Sequence, residues 1–280
     1  MPKIGKSITA AMILMGAVSA ASAGPIQDRI DSGESIRIGF AFDIPWAYPG
    51  DGNDPLGFAN VHTLGVLKAM GYENIEPVVT EWGGLIPGLK AGRFDIITGG
   101  MYIIGSRCEN ISFSEPMGIF GDAFLVEAGN PKNINSYADI KDSGSLMVTG
   151  AGYNTVEAAK KEGVQDSRIM QVPGPTEILA AMRADRADAG AGTYFTLLGL
   201  AEQSDGKLEV TDPNELPDWT KNWGGIGFRA DDSDFLTAFN TAQADYLGSE
   251  AMLAAVAPFK YGKSQLPDPG VKTEWICANR

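Results

Sequence analysis

Apolar and polar residues alternate through Ser35–Phe42 (SIRIGFAF), a period of two that predicts a strand. Val61–Met70 (VHTLGVLKAM) instead places its apolar residues at helical spacing and ends before Gly71, a helix stop. Ile75–Thr80 reads as a second strand, Gly84–Ala91 as a short helix halted by Gly92, and Phe94–Thr98 as a third strand. This β-α-β-α-β order implies a parallel sheet with right-handed crossovers. After a further apolar strand at Gly121–Glu127 the pattern runs again. It gives strand Ser145–Val148, helix Thr155–Glu162, strand Arg168–Gln171, helix Pro175–Arg183, strand Ala187–Gly190 and helix Tyr194–Ala201. The chain closes on two helical stretches, Asp232–Leu247 and Glu250–Phe259. The expected class is α/β, with one unit traversed twice.

The N-terminus departs from that pattern. Lys3 and Lys6 precede an apolar run from Ile8 to Val18, and Ala21-Ser22-Ala23 follows with small residues at a cleavage position. The run is too short to span a bilayer. Residues 1–23 therefore read as a secretory signal peptide, cleaved after Ala23. Removing it takes away two lysines and leaves 20 basic against 35 acidic residues. Such a surface repels nucleic acid and anionic membranes. With 44% hydrophobic and 20% charged residues the rest is an ordinary globular chain.

Cys108 and Cys277 are the two cysteines, which an oxidising compartment would join as one disulfide or leave as two buried thiols. His62 is the single histidine, so a Cys/His or Ser/His nucleophile pair and a histidine-rich zinc site have no support. No P-loop, HExxH or G-x-S-x-G motif is present, and no metal or cofactor is implied.

In paired α/β units, ligands bind where strand C-termini meet helix N-termini. Residues just past the strands are Asp43 and Trp46, then Trp82, then Tyr102 and Arg107, then Asn154 and Thr155, then Thr193. Each has a plain reading: the aromatics as core or rim, Arg107 as a surface ion-pair partner, Asp43 and Thr193 as caps. Trp46, Trp82 and Tyr102 recur at equivalent strand ends, which favours a shared aromatic cage for a delocalised cation. Beside it Arg107 becomes a bidentate clamp for a carboxylate, and Asp43 the cation's counter-charge. The glycine-rich turn before Asn154-Thr155 offers backbone N–H groups at a helix start, suited to an anion.

The segment Glu81–Pro116, EWGGLIPGLKAGRFDIITGGMYIIGSRCENISFSEP, resembles the family 3 extracellular solute-binding proteins of ABC importers. The resemblance spans nearly the whole chain after the leader. Within the family it is most similar to the ectoine/hydroxyectoine-binding proteins, through GLIPGLKAGRFD, G-M-aromatic-I, R-C-E and F-S-E-P. It implies a two-lobed periplasmic-binding-protein fold of type II, each lobe a mostly parallel sheet flanked by helices, with a two-strand hinge. Residues 24–121 plus 228–280 would form lobe 1 and residues 122–227 lobe 2. Cys277 would then return to Cys108, favouring the bridge. The implied protein is a periplasmic, monomeric, non-enzymatic binder that delivers a zwitterion to a membrane permease.

Residue by residue, the resemblance makes Arg107 the carboxylate arginine. It puts Trp46 and Trp82 where the ectoine binders carry Phe and Tyr, and Asp43 where they carry Glu. Tyr102 replaces the usual Thr or Ser, Thr155 meets the carboxylate from the second lobe, and Thr193 replaces the Asp that amino acid binders use for the α-ammonium. Gly105, Asn60 and His62 also depart from the pattern. The larger indoles leave a betaine or a polar amino acid as alternative ligands. A periplasmic dehydratase on the same fold is the enzymatic alternative, and a sensory input module a further one.

Overall fold

A computed structural model describes residues 24–280; the expected signal peptide lies outside them. Lobe 1 begins with helix α1 (Pro25–Asp31) and strand β1 (Ile36–Phe40). A hairpin of β2 (Tyr48–Pro49) and β3 (Pro55–Leu56) leads to α2 (Phe58–Ala69), β4 (Ile75–Val79), α3 (Leu85–Lys90) and β5 (Ile96–Tyr102). The short α4 (Gly105–Cys108) and β6 (Ser112–Phe113) precede β7 (Gly118–Glu127), which crosses to lobe 2. There follow α5 (Tyr137–Ser143), β8 (Met147–Gly150), α6 (Asn154–Glu162), β9 (Ile169–Val172), α7 (Pro175–Arg183), β10 (Ala189–Thr193), α8 (Tyr194–Glu202) and β11 (Leu208–Val210). Strand β12 (Lys221–Phe228) crosses back, and α9 (Ser233–Tyr246), α10 (Glu250–Val256) and α11 (Thr273–Asn279) complete lobe 1. Among the described residues no helix is long and apolar enough to cross a membrane.

The strands follow the order β4-β1-β5-β12-β7-β10-β8-β9. β1, β4 and β5 are parallel, as are β8, β9 and β10. The two crossing strands run antiparallel to each other and to their neighbours. They meet only along Lys221–Gly224 and Gly118–Gly121; beyond that each pairs within one lobe. This is the α/β, two-lobed type II architecture. The expected boundaries at 121/122 and 227/228 fall inside these two strands.

Each sheet is buried on both faces, as parallel sheets are. In lobe 1, one face packs Phe40, Phe58, Phe228 and Phe239 under α2, α9 and α10. The other packs Leu85, Phe94, Ile97, Phe113 and Ile276. Lobe 2 repeats the arrangement with Phe124, Tyr137 and Met147 on one face and Leu125, Ile178 and Leu197 on the other.

Most elements sit where the periodicity puts them, with instructive extensions. The third strand continues past Thr98 through Gly99-Gly100 to Tyr102, because β12 pairs it at Met101 and Tyr102. Gly100 has φ +69°, and a Cβ there would come within 2.5 Å of the Trp46 ring. The glycine lets an indole lie across the strand end. Cys108 and Cys277 are joined as a disulfide that pins α11 to α4. His62 and Asn60 are fully buried in α2: His62 Nε2 meets Gln243 Oε1 at 3.3 Å, and Asn60 accepts from the Thr98 hydroxyl.

Candidate ligand-binding site

The C-terminal ends of β1, β4 and β5 face those of β8 and β10 across a cleft. A narrow cavity there, about 20 Å³, is lined by Asp43, Trp46, Trp82, Gly99, Gly100, Tyr102, Arg107, Tyr153, Asn154 and Thr193. Seven of the eight residues singled out from the sequence thus surround one cavity. Thr155 does not: it is fully buried and its hydroxyl bonds that of Thr149 at 2.5 Å, inside lobe 2. As the second residue of α6 it points about 100° around the helix axis from its neighbour Asn154.

Arg107 sits on α4, where the family-like segment turns out of β5. Nη1 donates to the Tyr102 carbonyl at 2.9 Å and Nη2 to the Gly152 carbonyl at 2.9 Å. The guanidinium is 7% exposed and pairs with no carboxylate among the described residues. Burial lowers its pKa to about 10, against the opposing pull of Glu157, Tyr102 and Asp122. A buried cation held only by carbonyls carries an unmet desolvation cost. Its carbon lies 5.7 Å from the Trp82 ring centroid.

The aromatics form two opposed groups. Trp82 meets Tyr153 edge-on at 5.4 Å. Trp46 meets Tyr102 edge-on at 5.9 Å and packs on Phe58 and Phe120 at 4.6 and 4.4 Å. Trp46 is therefore both core and cavity wall. The Tyr102 hydroxyl is buried without a hydrogen-bond partner, and burial raises its pKa well above the usual value.

Asp43 follows β1, where a cis Ile44–Pro45 bond and a backbone bridge to Ala47 form a tight turn. Its carboxylate accepts from the Thr196 hydroxyl at 2.8 Å and from the Tyr153 hydroxyl at 3.3 Å. Desolvation still dominates and pushes its pKa up to about 7. Thr193 caps α8, accepting from the Thr196 amide, and also accepts from Trp46 Nε1 at 3.0 Å. Trp82 Nε1 donates to the Gly152 carbonyl at 3.1 Å. Apart from the Thr193–Thr196 cap, these side-chain bonds run between the lobes.

Tyr153 and Thr196 were not among the sequence candidates, and the glycine-rich turn was one for its N–H groups rather than for the Gly152 carbonyl. Tyr153 immediately precedes Asn154 after the glycine-rich turn, a position the strand-end rule covers. Thr196 carried no signal beyond its spacing of three from Thr193, which also describes an ordinary cap.

Comparison with known proteins agrees with this geometry. The family profile for bacterial extracellular solute-binding proteins, family 3, matches residues 36–255. A probable amino-acid ABC transporter periplasmic-binding protein of Sinorhizobium fredii is 31% identical, covering 98% of this chain and 92% of its own. The L-cystine-binding protein of Escherichia coli is 26% identical over 72% of this chain and 73% of its own. Among solved structures, EhuB in complex with hydroxyectoine superposes with a TM-score of 0.82 at 25% identity, covering 91% of this chain and 98% of that one. An ancestral amino acid-binding protein, a precursor of cyclohexadienyl dehydratase, shares the fold with a TM-score of 0.71 at 22% identity, over 85% and 99% of the two chains. This chain belongs to the bacterial extracellular solute-binding proteins, family 3.

Proposed function

We propose that this protein is the periplasmic solute-capturing component of an ABC importer and that its ligand is a small zwitterion of the ectoine/hydroxyectoine type. The observation that carries this reading is Arg107: a buried guanidinium with no carboxylate partner, set across an aromatic-lined cavity from a buried carboxylate, Asp43. A ligand carboxylate supplies the missing counter-charge through paired N–H···O bonds. Tyr153 gives the start of α6 no side-chain cap, so first-turn N–H groups are available to the same carboxylate. The ligand's cation lies between the Trp82 and Trp46–Tyr102 groups, where each ring contact contributes about 0.5–2 kcal/mol. Asp43 balances its charge.

The lobes close about the hinge formed by β7 and β12, with lobe 1 taken as residues 24–121 plus 228–280. Closure excludes water and strengthens each charge-assisted contact. The closed form is what the permease receives. The aromatic lining and the relation to EhuB support an ectoine. The Sinorhizobium and Escherichia relatives support a second reading, an α-amino acid whose ammonium sits on Asp43.

Isothermal titration with ectoine, hydroxyectoine, glycine betaine, proline, glutamate and cystine separates these readings. Selective low-micromolar or tighter binding of the ectoines is expected. Heat from an amino acid alone, with silence from the ectoines, sinks the first reading in favour of the second.

A further inference from the structure

Asp122 is the second carboxylate of the cleft region and does not line the ligand cavity. It lies on β7 immediately past the stretch where the two crossing strands pair, opposite Thr193 of β10. It is fully buried, and no salt bridge reaches it among the described residues. Its Oδ2 accepts from the Tyr137 hydroxyl of α5 at 2.9 Å. Both its oxygens accept from Asn154 Nδ2, at 2.9 and 3.1 Å. Asn154 is the residue shared between the ligand cavity and the hinge-side cavity that holds Asp122.

An ionised carboxylate can only accept, so it dictates which end of a neighbouring amide faces it. The Asn154 nitrogen is committed to Asp122. No donor among the described residues meets its oxygen, which leaves an acceptor for the ligand cavity. We infer that Asp122 is a positioning residue for ligand selection: by fixing the Asn154 amide it makes the site prefer a cation bearing an N–H over a fully alkylated ammonium. The inference rests on the zwitterion reading above and deepens it, because it separates a cyclic amidinium or an ammonium from a betaine. An amide left free to turn over would offer its nitrogen to the cavity and lose that preference.

The groups around Asp122 are Tyr137 of α5, Tyr102 of β5, Arg107 of α4 and Thr193 of β10. Glu157 and Lys161 of α6 and the terminal Arg280 share its cavity. Burial holds its pKa up to about 7 against the pull of Asn154, Tyr137 and Arg107.

The test compares ectoine, which carries N–H groups, with glycine betaine, which carries none, by titration of the wild type and of Asp122→Asn, Asn154→Ala and the double variant. The wild type should prefer ectoine by about tenfold or more, the discrimination one well-placed hydrogen bond to a charged group provides. Asp122→Asn should lose most of that ratio, and should change it less than about twofold once Asn154 is alanine, as a coupled pair requires. A selective wild type with an equally selective, thermally intact Asp122→Asn protein overturns the inference alone. The same holds if the ratio changes equally in the Asn154→Ala background. A wild type that binds neither compound, or binds betaine as tightly, overturns the zwitterion reading or its N–H preference, and this inference with it. Should Asp122→Asn not fold, Asn154→Ala decides: it should lose most of the ectoine preference, and an Asn154→Ala protein as selective as the wild type overturns the inference.

Discussion

The two walls of the cleft are built from the same α/β unit but carry different chemistry. Lobe 1 presents the formal charges and most of the aromatic surface: Asp43, Trp46, Trp82, Tyr102 and Arg107. Lobe 2 presents neutral groups, and nearly all of them grip a lobe 1 side chain. The Gly152 carbonyl takes Arg107 and Trp82, the Tyr153 and Thr196 hydroxyls take Asp43, and Thr193 takes Trp46. The difference teaches a division of labour. On the proposed function, lobe 1 would read the ligand's charges, while lobe 2 holds the readers in place through the bonds between the lobes.

The division predicts unequal effects. Arg107→Ala removes the only cation of the cavity lining, and affinity for the zwitterion should fall on the order of 100-fold, about 3 kcal/mol. Arg107→Lys keeps the charge but not the fork, and should recover only part of it by titration calorimetry.

The buried acid sharpens the comparison through pH. The pKa of Asp43 is about 7 in the folded protein against a reference value of 3.8. The folded state thus binds more protons between these values, and free-protein stability should fall as pH rises through that window, by at most about 4 kcal/mol. Asp122 acts in the same direction. Ligand affinity should move oppositely, rising through pH 7 as Asp43 ionises to face the cation; Asp43→Asn should flatten the affinity trend and remove the Asp43 share of the stability trend, leaving that of Asp122. Thermal unfolding and titration at about pH 5.5 and about pH 8 check the two signs.

Smaller effects follow on the ring and latch groups. Trp82→Ala should weaken binding by about tenfold, from the lost cation contact and area. Thr193→Val, on the latch side, should cost about 1 kcal/mol. Stopped-flow kinetics should place that cost in the dissociation rate, since the residue grips Trp46 rather than the ligand.

The sequence made the alternating lobes legible because short apolar runs bounded by turn residues alternate with helix-length stretches, even though β1 and β8 are buried on both faces and do not alternate. It did not reveal the full crossing strand β12, whose Gly224-Gly225-Ile226-Gly227 stretch has low strand propensity and is held by pairing on both sides. Helices α1, α5 and α11 span only seven residues each, too few for a periodic signal. At the site, looking past strand ends found the lobe 1 residues because their charges and rings are conspicuous. The Thr155 side chain lies inside lobe 2 rather than at the cavity, since which of two adjacent residues at a helix start faces the cleft depends on helix rotation. Tyr153 and Thr196 act through single hydroxyls on residues that pass for helix packing. Asp122 carried a signal that was not used: a lone acid in the run Phe120–Val126 must be buried and bonded.

The most direct test of the central claim is a titration cycle combining Arg107→Ala with a ligand whose carboxylate is masked as a methyl ester. The wild type should prefer the free acid over the ester by on the order of 100-fold, and the Arg107→Ala protein by less than about threefold, because the guanidinium and the carboxylate are partners. An Arg107→Ala protein that still prefers the acid as strongly as the wild type would contradict the account.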